Sequence, residues 1–283
     1  MIFHIGSFGV RWYSLGFLFA FLLGYFIMSR MFKREKVDDK YLESLLIYMF
    51  VSVLVGARLG HCLFYEAGYY LTGNHWIEII LPFGRDANGW HFTGYEGLAS
   101  HGAAIGILVA LWLFFRKHRM NPVWIVDRLV IVVALGGAFI RLGNLFNSEI
   151  YGIPTDLPWG FVYEQNKLSD PTWMLPKHPT QLYESLSYFI IFLVCILVYR
   201  KKDGKIRTGA MFGWWLIALF GVRLLIEFVK EEQVAFEKGM TLDMGQWLSI
   251  PFILLGVIMC ILAYKDKFNG HILLKKDEKI LKK

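Results

Sequence analysis

Three arginines interrupt stretches that are otherwise apolar: Arg58 in VGARLGHC, Arg141 in GGAFIRLGNLFNSEIYG and Arg223 in GVRLLIEF. A guanidinium cannot escape burial by losing its proton. Left unpaired at the centre of a bilayer it costs roughly 2.5–3.5 kcal/mol. Each arginine therefore calls for an anionic or polar partner, and its rigid fork of donors suits a phosphate better than a lysine's point charge does. Two readings compete. Either the arginines hold an anionic ligand, or they snorkel to the nearer interface and neutralise a neighbouring carboxylate. The readings are evenly matched at Arg58, whereas Arg141 favours the ligand.

Other polar groups cluster in sequence around these arginines. Asn144 follows Arg141 by three residues on a similar helix face, and Asn147 and Glu149 come next. Arg223 and Glu227 stand one turn apart, a spacing suited to an internal ion pair. The motif HPTQLYE (His178–Glu184) supplies Gln181, Tyr183 and Glu184, and GLASHGAAIG supplies His101. Tyr13 and His61 complete the set. Arginines for a phosphate, with asparagines and a tyrosine for glycerol hydroxyls, fit the headgroup of an anionic phospholipid. Helix-end capping explains Asn147 and Glu149 equally well, and plain helix packing explains Gly136 and Gly137. Asp127 and Arg128 read as a pair that stays wet or is neutralised locally.

The elements that must position these groups are membrane helices. With 56% hydrophobic and 17% aromatic residues among 283 and a mean hydropathy of +0.45, the chain reads as all-α and polytopic. Seven segments are long enough to cross about 30 Å of hydrocarbon: 12–31, 44–65, 97–115, 123–142, 181–199, 209–229 and 246–264. They form a single membrane-embedded domain over 1–283, with long outer loops at about 66–100 and 145–178. These loops exceed ordinary connection lengths and are candidate functional elements. The first ten residues lack a basic region and a small-residue cleavage site, so they do not read as a removable signal; they could lie along the membrane surface.

Orientation follows from the basic residues, which collect on cytoplasmic loops. Residues 30–40 carry five, 116–119 three, 200–207 five and the tail after Tyr264 seven, whereas all segments on the other side together hold six. This places the amino terminus outside and the carboxyl terminus inside, and it brings Arg141, Arg223, His101 and the HPTQLYE motif to the outer leaflet. The net charge of +7 then reflects topology and anionic inner-leaflet lipid rather than nucleic acid. The three cysteines show no CxxC spacing and the histidines no HExxH pair, so neither a disulfide framework nor a bound metal is expected. The absence of a phosphate loop and of a dinucleotide fingerprint argues against a nucleotide, and no cofactor is expected.

The segments RLGNLFNSEIYG, HPTQLYE, the spaced Arg223 and Glu227, and MGQWLSIP (Met244–Pro251) resemble the prolipoprotein diacylglyceryl transferases, from WYSLGF near the start to the seventh span. The resemblance implies a bacterial inner-membrane enzyme of lipoprotein maturation with its active site toward the periplasm. The implied reaction moves the diacylglyceryl group of phosphatidylglycerol to the lipobox cysteine thiol of a preprolipoprotein and releases glycerol phosphate. It also implies functional roles for His101, Arg141 and Arg223, and carries over Tyr13, Asn144, Asn147, Glu149, Gly152 and Glu227. The chain departs from the family at ASHGA, where SFHGG is usual, at Leu219, where a tyrosine is common, and at His61, where an aromatic is expected.

The implied chemistry needs a proton acceptor, because a thiol with an ordinary pKa of about 8.5 is mostly protonated at neutral pH. A neutral imidazole at His101 could take that proton, and Arg141 and Arg223 could stabilise charge on the departing phosphate. Base and lipid-binding roles stay open between His101 and the arginines. Two other classes remain: a transporter of anionic lipid or solute, which would call for a midplane site and internal repeats, and a non-catalytic lipid-binding scaffold, which would not need His101.

Overall fold

The computed structural model describes residues 3–5, 8–10, 12–72, 75–81, 83–86, 89–92, 97–167, 170–231, 241–268 and 272. The chain falls into two compact units, one built from Met1–Val37 and Val123–Ile272, the other from Asp38–Pro122.

The first unit opens with a short antiparallel hairpin, β1 (Phe3–Ile5) and β2 (Phe8–Val10), an addition to the all-helical expectation. Its helices are α1 (Trp12–Arg34), α6 (Pro122–Phe146), α7 (Thr180–Lys201), α8 (Ala210–Glu227) and α9 (Met244–Tyr264). Among them α6 is the most deeply buried, as an apolar helix without a polar face must be. The α8 and α9 helices run antiparallel, with Gly213 against Cys260 at one end and Gln246 Nε2 donating to Leu224 O at 3.5 Å at the other. Asp243 and Gln246 form a reciprocal capping box that fixes the start of α9.

One end of α6 carries a correction. Asp127 and Arg128 are not wet; each is only 2% exposed. Arg128 donates to both carboxylate oxygens of Glu35, Nε to Oε1 at 3.0 Å and Nη2 to Oε2 at 2.7 Å, and packs 4.4 Å over the Trp124 ring. Trp124 and Tyr199 also donate to Glu35, at 3.1 and 2.7 Å. Asp127 accepts the Gly209 and Phe212 backbone N–H groups at 2.7 and 2.8 Å, satisfying orphan donors where α8 begins. The pair ties α6 to the end of α1, to α7 and to α8, which accounts for its burial without any chemistry.

The second unit holds α2 (Asp39–Phe64) and α5 (Ser100–His118), with α3 (Ala67–Thr72), α4 (Ile77–Ile80) and a hairpin of β3 (Phe83–Asp86) and β4 (Gly89–Phe92) between them. The outer loop expected at 66–100 thus contains regular elements of its own. The antiparallel α2 and α5 touch backbone to backbone: a Cβ on Gly102 would be driven into Gly56 O and Gly60 Cα. At the opposite end Ser44 Oγ lies 2.8 Å from His118 Nε2.

Six helices among the described residues are long and apolar enough to cross a membrane, so the chain is a multi-pass membrane protein. They match six of the seven expected segments. The third segment forms α5, but its polar ends, Ser100–His101 and Arg116–His118, dilute its hydropathy, and it does not join the six.

Candidate functional site

The first unit gathers a charged cluster at the end of α6 opposite Asp127. Arg141 leaves the last turns of α6, and its Nε lies 2.6 Å from Glu184 Oε2 on α7, in an ion pair by distance without the alignment of a hydrogen bond. The Glu184 carboxylate is fully buried. Its other oxygen faces Lys230 Nζ at 3.6 Å, and Lys230 reaches Glu227 Oε2 at 3.2 Å. Lys230 and Glu227 are themselves buried. The expected Arg223–Glu227 ion pair is therefore corrected: the Glu227 carboxylate is held by Lys230, three residues along the chain, and not by Arg223.

Arg223 sits on α8 with its Nε buried and, among the described residues, without a hydrogen-bond partner. It nonetheless belongs to the cluster. Tyr188 of α7, one turn beyond Glu184, lies within electrostatic reach of Glu184, Arg141 and Arg223. Two cations, Arg141 and Lys230, thus share two carboxylates, while Arg223 has no ion-pair partner among the described residues.

The loop after α6 supports this cluster. Arg141 Nη1 donates to Asn144 Oδ1 at 3.3 Å, Asn144 Nδ2 to Glu149 Oε2 at 3.0 Å, and Asn147 Nδ2 to Glu149 Oε1 at 3.3 Å. Ser148 and Ile150 adopt left-handed φ values of 56° and 58°, unusual for any residue with a Cβ and most of all for a β-branched one. That turn aims two carbonyls at α7: Glu149 O accepts Gln181 Nε2 at 2.6 Å and Ile150 O accepts Thr180 Oγ1 at 2.9 Å. Gln181 is in turn held by Tyr163 Oη at 3.0 Å. Burial, only partly offset by that hydrogen bond, pushes the Tyr163 phenol up to about 12, so it is a fixed donor at working pH.

Gly152 shows why this loop tolerates no side chain there. Its N–H donates to His178 O at 2.8 Å, and an added Cβ would meet Val229 O and, at 2.6 Å, His178 Cβ. Beside it Lys177, 1% exposed, reaches Asp170 Oδ2 at 2.6 Å and both oxygens of Glu231 at 3.1 Å, with the Tyr151 ring at 4.5 Å. Burial opposes the charges of both Asp170 and Lys177. Their mutual hydrogen bond, with those that Thr172 and Tyr151 donate to Asp170 and that Lys177 donates to Glu231, prevails, holding the carboxyl below its ordinary range and the ammonium above its own. Tyr183 Oη accepts the Trp159 Nε1 hydrogen at 2.9 Å and lies 3.1 Å from His178 Nδ1.

The second unit carries the remaining candidates. Arg58 donates to Glu78 O at 2.6 Å and lies 5.1 Å from the centre of the Tyr70 ring, so an arginine paired inside the protein describes it well. His61 Nε2 is 3.5 Å from Glu66 Oε2. His101 is exposed in the first turn of α5 and has no hydrogen-bond partner among the described residues. Tyr13 lies in α1, but its side chain falls outside the described residues.

Arg141, Asn144, Asn147 and Glu149 thus form one connected group, with Gly152 and Tyr183 in the loop and helix that brace it. Sequence reasoning gave Glu184 no role beyond its motif and passed over Tyr188 and Lys230. The signal was present in the requirement that a buried Arg141 find an anion, which Glu184 at the same end of its own helix could meet.

A family model described as prolipoprotein diacylglyceryl transferase matches residues 1–262. The chain is similar to the phosphatidylglycerol–prolipoprotein diacylglyceryl transferase of Bacteroides fragilis, 44% identical across 94% of this chain and 94% of the relative. It is 43% identical to the protein of that name from Tolumonas auensis, across 94% and 96%, and 41% identical to that from Chloroherpeton thalassium, across 94% and 92%.

Proposed function

We infer the activity from one premise: this chain belongs to the prolipoprotein diacylglyceryl transferase family. It is a transferase of lipoprotein biosynthesis. Its donor is phosphatidylglycerol and its acceptor is the lipobox cysteine of a preprolipoprotein. His101 takes the thiol proton, and the thiolate sulfur attacks the glycerol carbon that carries the phosphate ester. As the new C–S bond forms, the C–O bond breaks, its electron pair passes to the phosphate oxygen, and glycerol phosphate leaves.

The observation that supports this reading is Arg223, whose buried Nε has no hydrogen-bond partner among the described residues, with both Arg223 and Arg141 within electrostatic reach of Tyr188. A donor that the described residues leave open suits a charge arriving with substrate, and it accelerates the reaction to the extent that it binds the departing phosphate more tightly than the intact diester. Arg141, already paired with Glu184 and Asn144, supplies a preset second fork. Asn144 and Tyr13 bind the glycerol end, while Asn147, Glu149, Gly152, Tyr183 and Glu227 support the loop and the cations. Arg58 takes a supporting part through Glu78 and Tyr70.

The distribution of Lys and Arg supports seven spans in one membrane-embedded domain in the bacterial inner membrane, amino terminus and active site toward the periplasm and carboxyl terminus in the cytoplasm. Neither a transporter nor a passive scaffold gains support from relatives that match over nearly the whole chain. The deciding experiment is incubation of purified protein with phosphatidylglycerol and a lipobox peptide. A diacylglyceryl mass gain on the peptide is expected, absent when its cysteine is replaced by serine. No gain, or a gain on both peptides, would refute the assignment.

A further inference from the structure

The far end of α7 and α8 holds a cleft of about 520 Å³ that the transfer reaction does not use. Its volume lies within the roughly 300–1,000 Å³ usual for ligand sites. Val194 and Val198 of α7 and Met211, Trp214 and Ala218 of α8 form its walls, with Tyr264 of α9 at one end. Val194, Val198 and Trp214 are exposed, so the trough opens sideways onto whatever surrounds these apolar helices. Lys202, Lys205 and Arg207 line the same end as Tyr264. Arg207 lies 5.2 Å from the centre of the Tyr264 ring and donates to its backbone oxygen at 3.3 Å. Among the described residues neither Lys202 nor Lys205 has a carboxylate partner, and the neighbouring Asp203 faces Arg34 at 3.5 Å.

An apolar trough with three cations at one end is complementary to an amphiphile with a negative head, and basic pockets between membrane helices hold such headgroups. We propose that this cleft binds one anionic phospholipid, an acyl chain lying between α7 and α8 and the phosphate held by Lys202, Lys205 and Arg207. Eighteen residues of α7 separate Lys202 from Glu184, a rise of about 27 Å. A lipid here is therefore a second lipid, distinct from any held at Arg141. It braces the two helices that carry Glu184, Tyr188 and Arg223. Nothing in this proposal depends on the transfer chemistry.

The test is photolabelling of the full-length protein in phosphatidylcholine nanodiscs doped with phosphatidylglycerol carrying a diazirine on one acyl chain, with adducts mapped by peptide. Adducts within 190–218 should exceed those from the matching phosphatidylcholine probe several-fold. They should fall to the level of the phosphatidylcholine probe in Lys202→Gln/Lys205→Gln/Arg207→Gln, each lost charge weakening headgroup attraction. Ala218→Trp, which fills the trough and leaves the charges, should also remove them while adducts elsewhere persist. If the triple variant fails to fold, Lys202→Gln/Lys205→Gln, both exposed positions, decides with a smaller drop. Equal labelling by the two lipids, or labelling that survives neutralisation in folded protein, would overturn the proposal.

Discussion

The two ends of α6 use the same pair of groups, an arginine and a glutamate from another part of the chain, and complete it differently. At one end Arg128 grips both oxygens of Glu35, and Trp124, Tyr199 and the Gly204 carbonyl fill the remaining directions. At the other, Arg141 Nε approaches Glu184 Oε2 without forming an aligned hydrogen bond, Lys230 faces the same carboxylate, and Arg223 keeps a buried N–H unsatisfied among the described residues. A closed network has no directions left for a ligand, whereas an open one retains charge for an anion. On the proposed function, that difference separates an arginine that fastens helices from one that meets substrate.

The largest expected effect is at the closed end. Arg128→Ala leaves Glu35 buried and uncompensated, so it should lower stability by about 3–5 kcal/mol, read as a fall in the unfolding midpoint in detergent. The double variant Glu35→Gln/Arg128→Met should recover part of that loss. A single variant as stable as the parent would break the comparison at this end.

At the open end Arg141→Ala should instead slow transfer by about 3 kcal/mol, on the order of a hundredfold, with a much smaller change in midpoint because Lys230 still faces Glu184. Arg141→Lys keeps the charge but loses the fork, and should fall between the two. Glu184→Gln comes next, at about 2 kcal/mol in kcat, with little change in KM if its part is to aim Arg141. A pure KM effect would make Glu184 a substrate ligand.

The smallest effect concerns the loop clamp of Asp170 and Lys177. A carboxyl held below its ordinary value stabilises fully above about pH 4 and loses that contribution as pH falls through its depressed value. An ammonium held above its ordinary 10.5 stabilises fully below that pH and loses its contribution as pH rises through the raised value. Protease nicking of the loop should therefore stay flat from about pH 5 to 9 and rise only beyond. A rise near neutrality would place control of the loop elsewhere.

Much of this was legible in the chain. Long apolar runs revealed six spans with nearly correct ends, because hydropathy over about 20 residues is a strong signal. It weakened at α5, whose ends are polar for their own reasons, and it was silent on α3, α4 and the hairpins, which are short and depend on packing. The motif around Arg141 exposed Asn144 and Glu149 because they lie within one turn and loop. Glu184 stands 43 residues from Arg141, so only the fold shows their contact. Regular spacing also misled: Arg223 and Glu227 are ideally placed for each other, yet Lys230, just beyond the helix, has the carboxylate. Likewise Asp127 and Arg128 read as a pair that is wet or neutralised locally, and sequence could not choose, because Glu35, nearly a hundred residues away, could not be seen.

The central claim is that Arg223 serves the substrate while Arg128 serves the fold. It is tested most directly by measuring transfer per folded molecule and unfolding midpoint side by side for Arg223→Ala and Arg128→Ala, with phosphatidylglycerol and a lipobox peptide. The account predicts that Arg223→Ala unfolds near the parent's midpoint and loses transfer on the order of a hundredfold, while Arg128→Ala unfolds early and its folded fraction still transfers. Near-normal transfer by folded Arg223→Ala would contradict it.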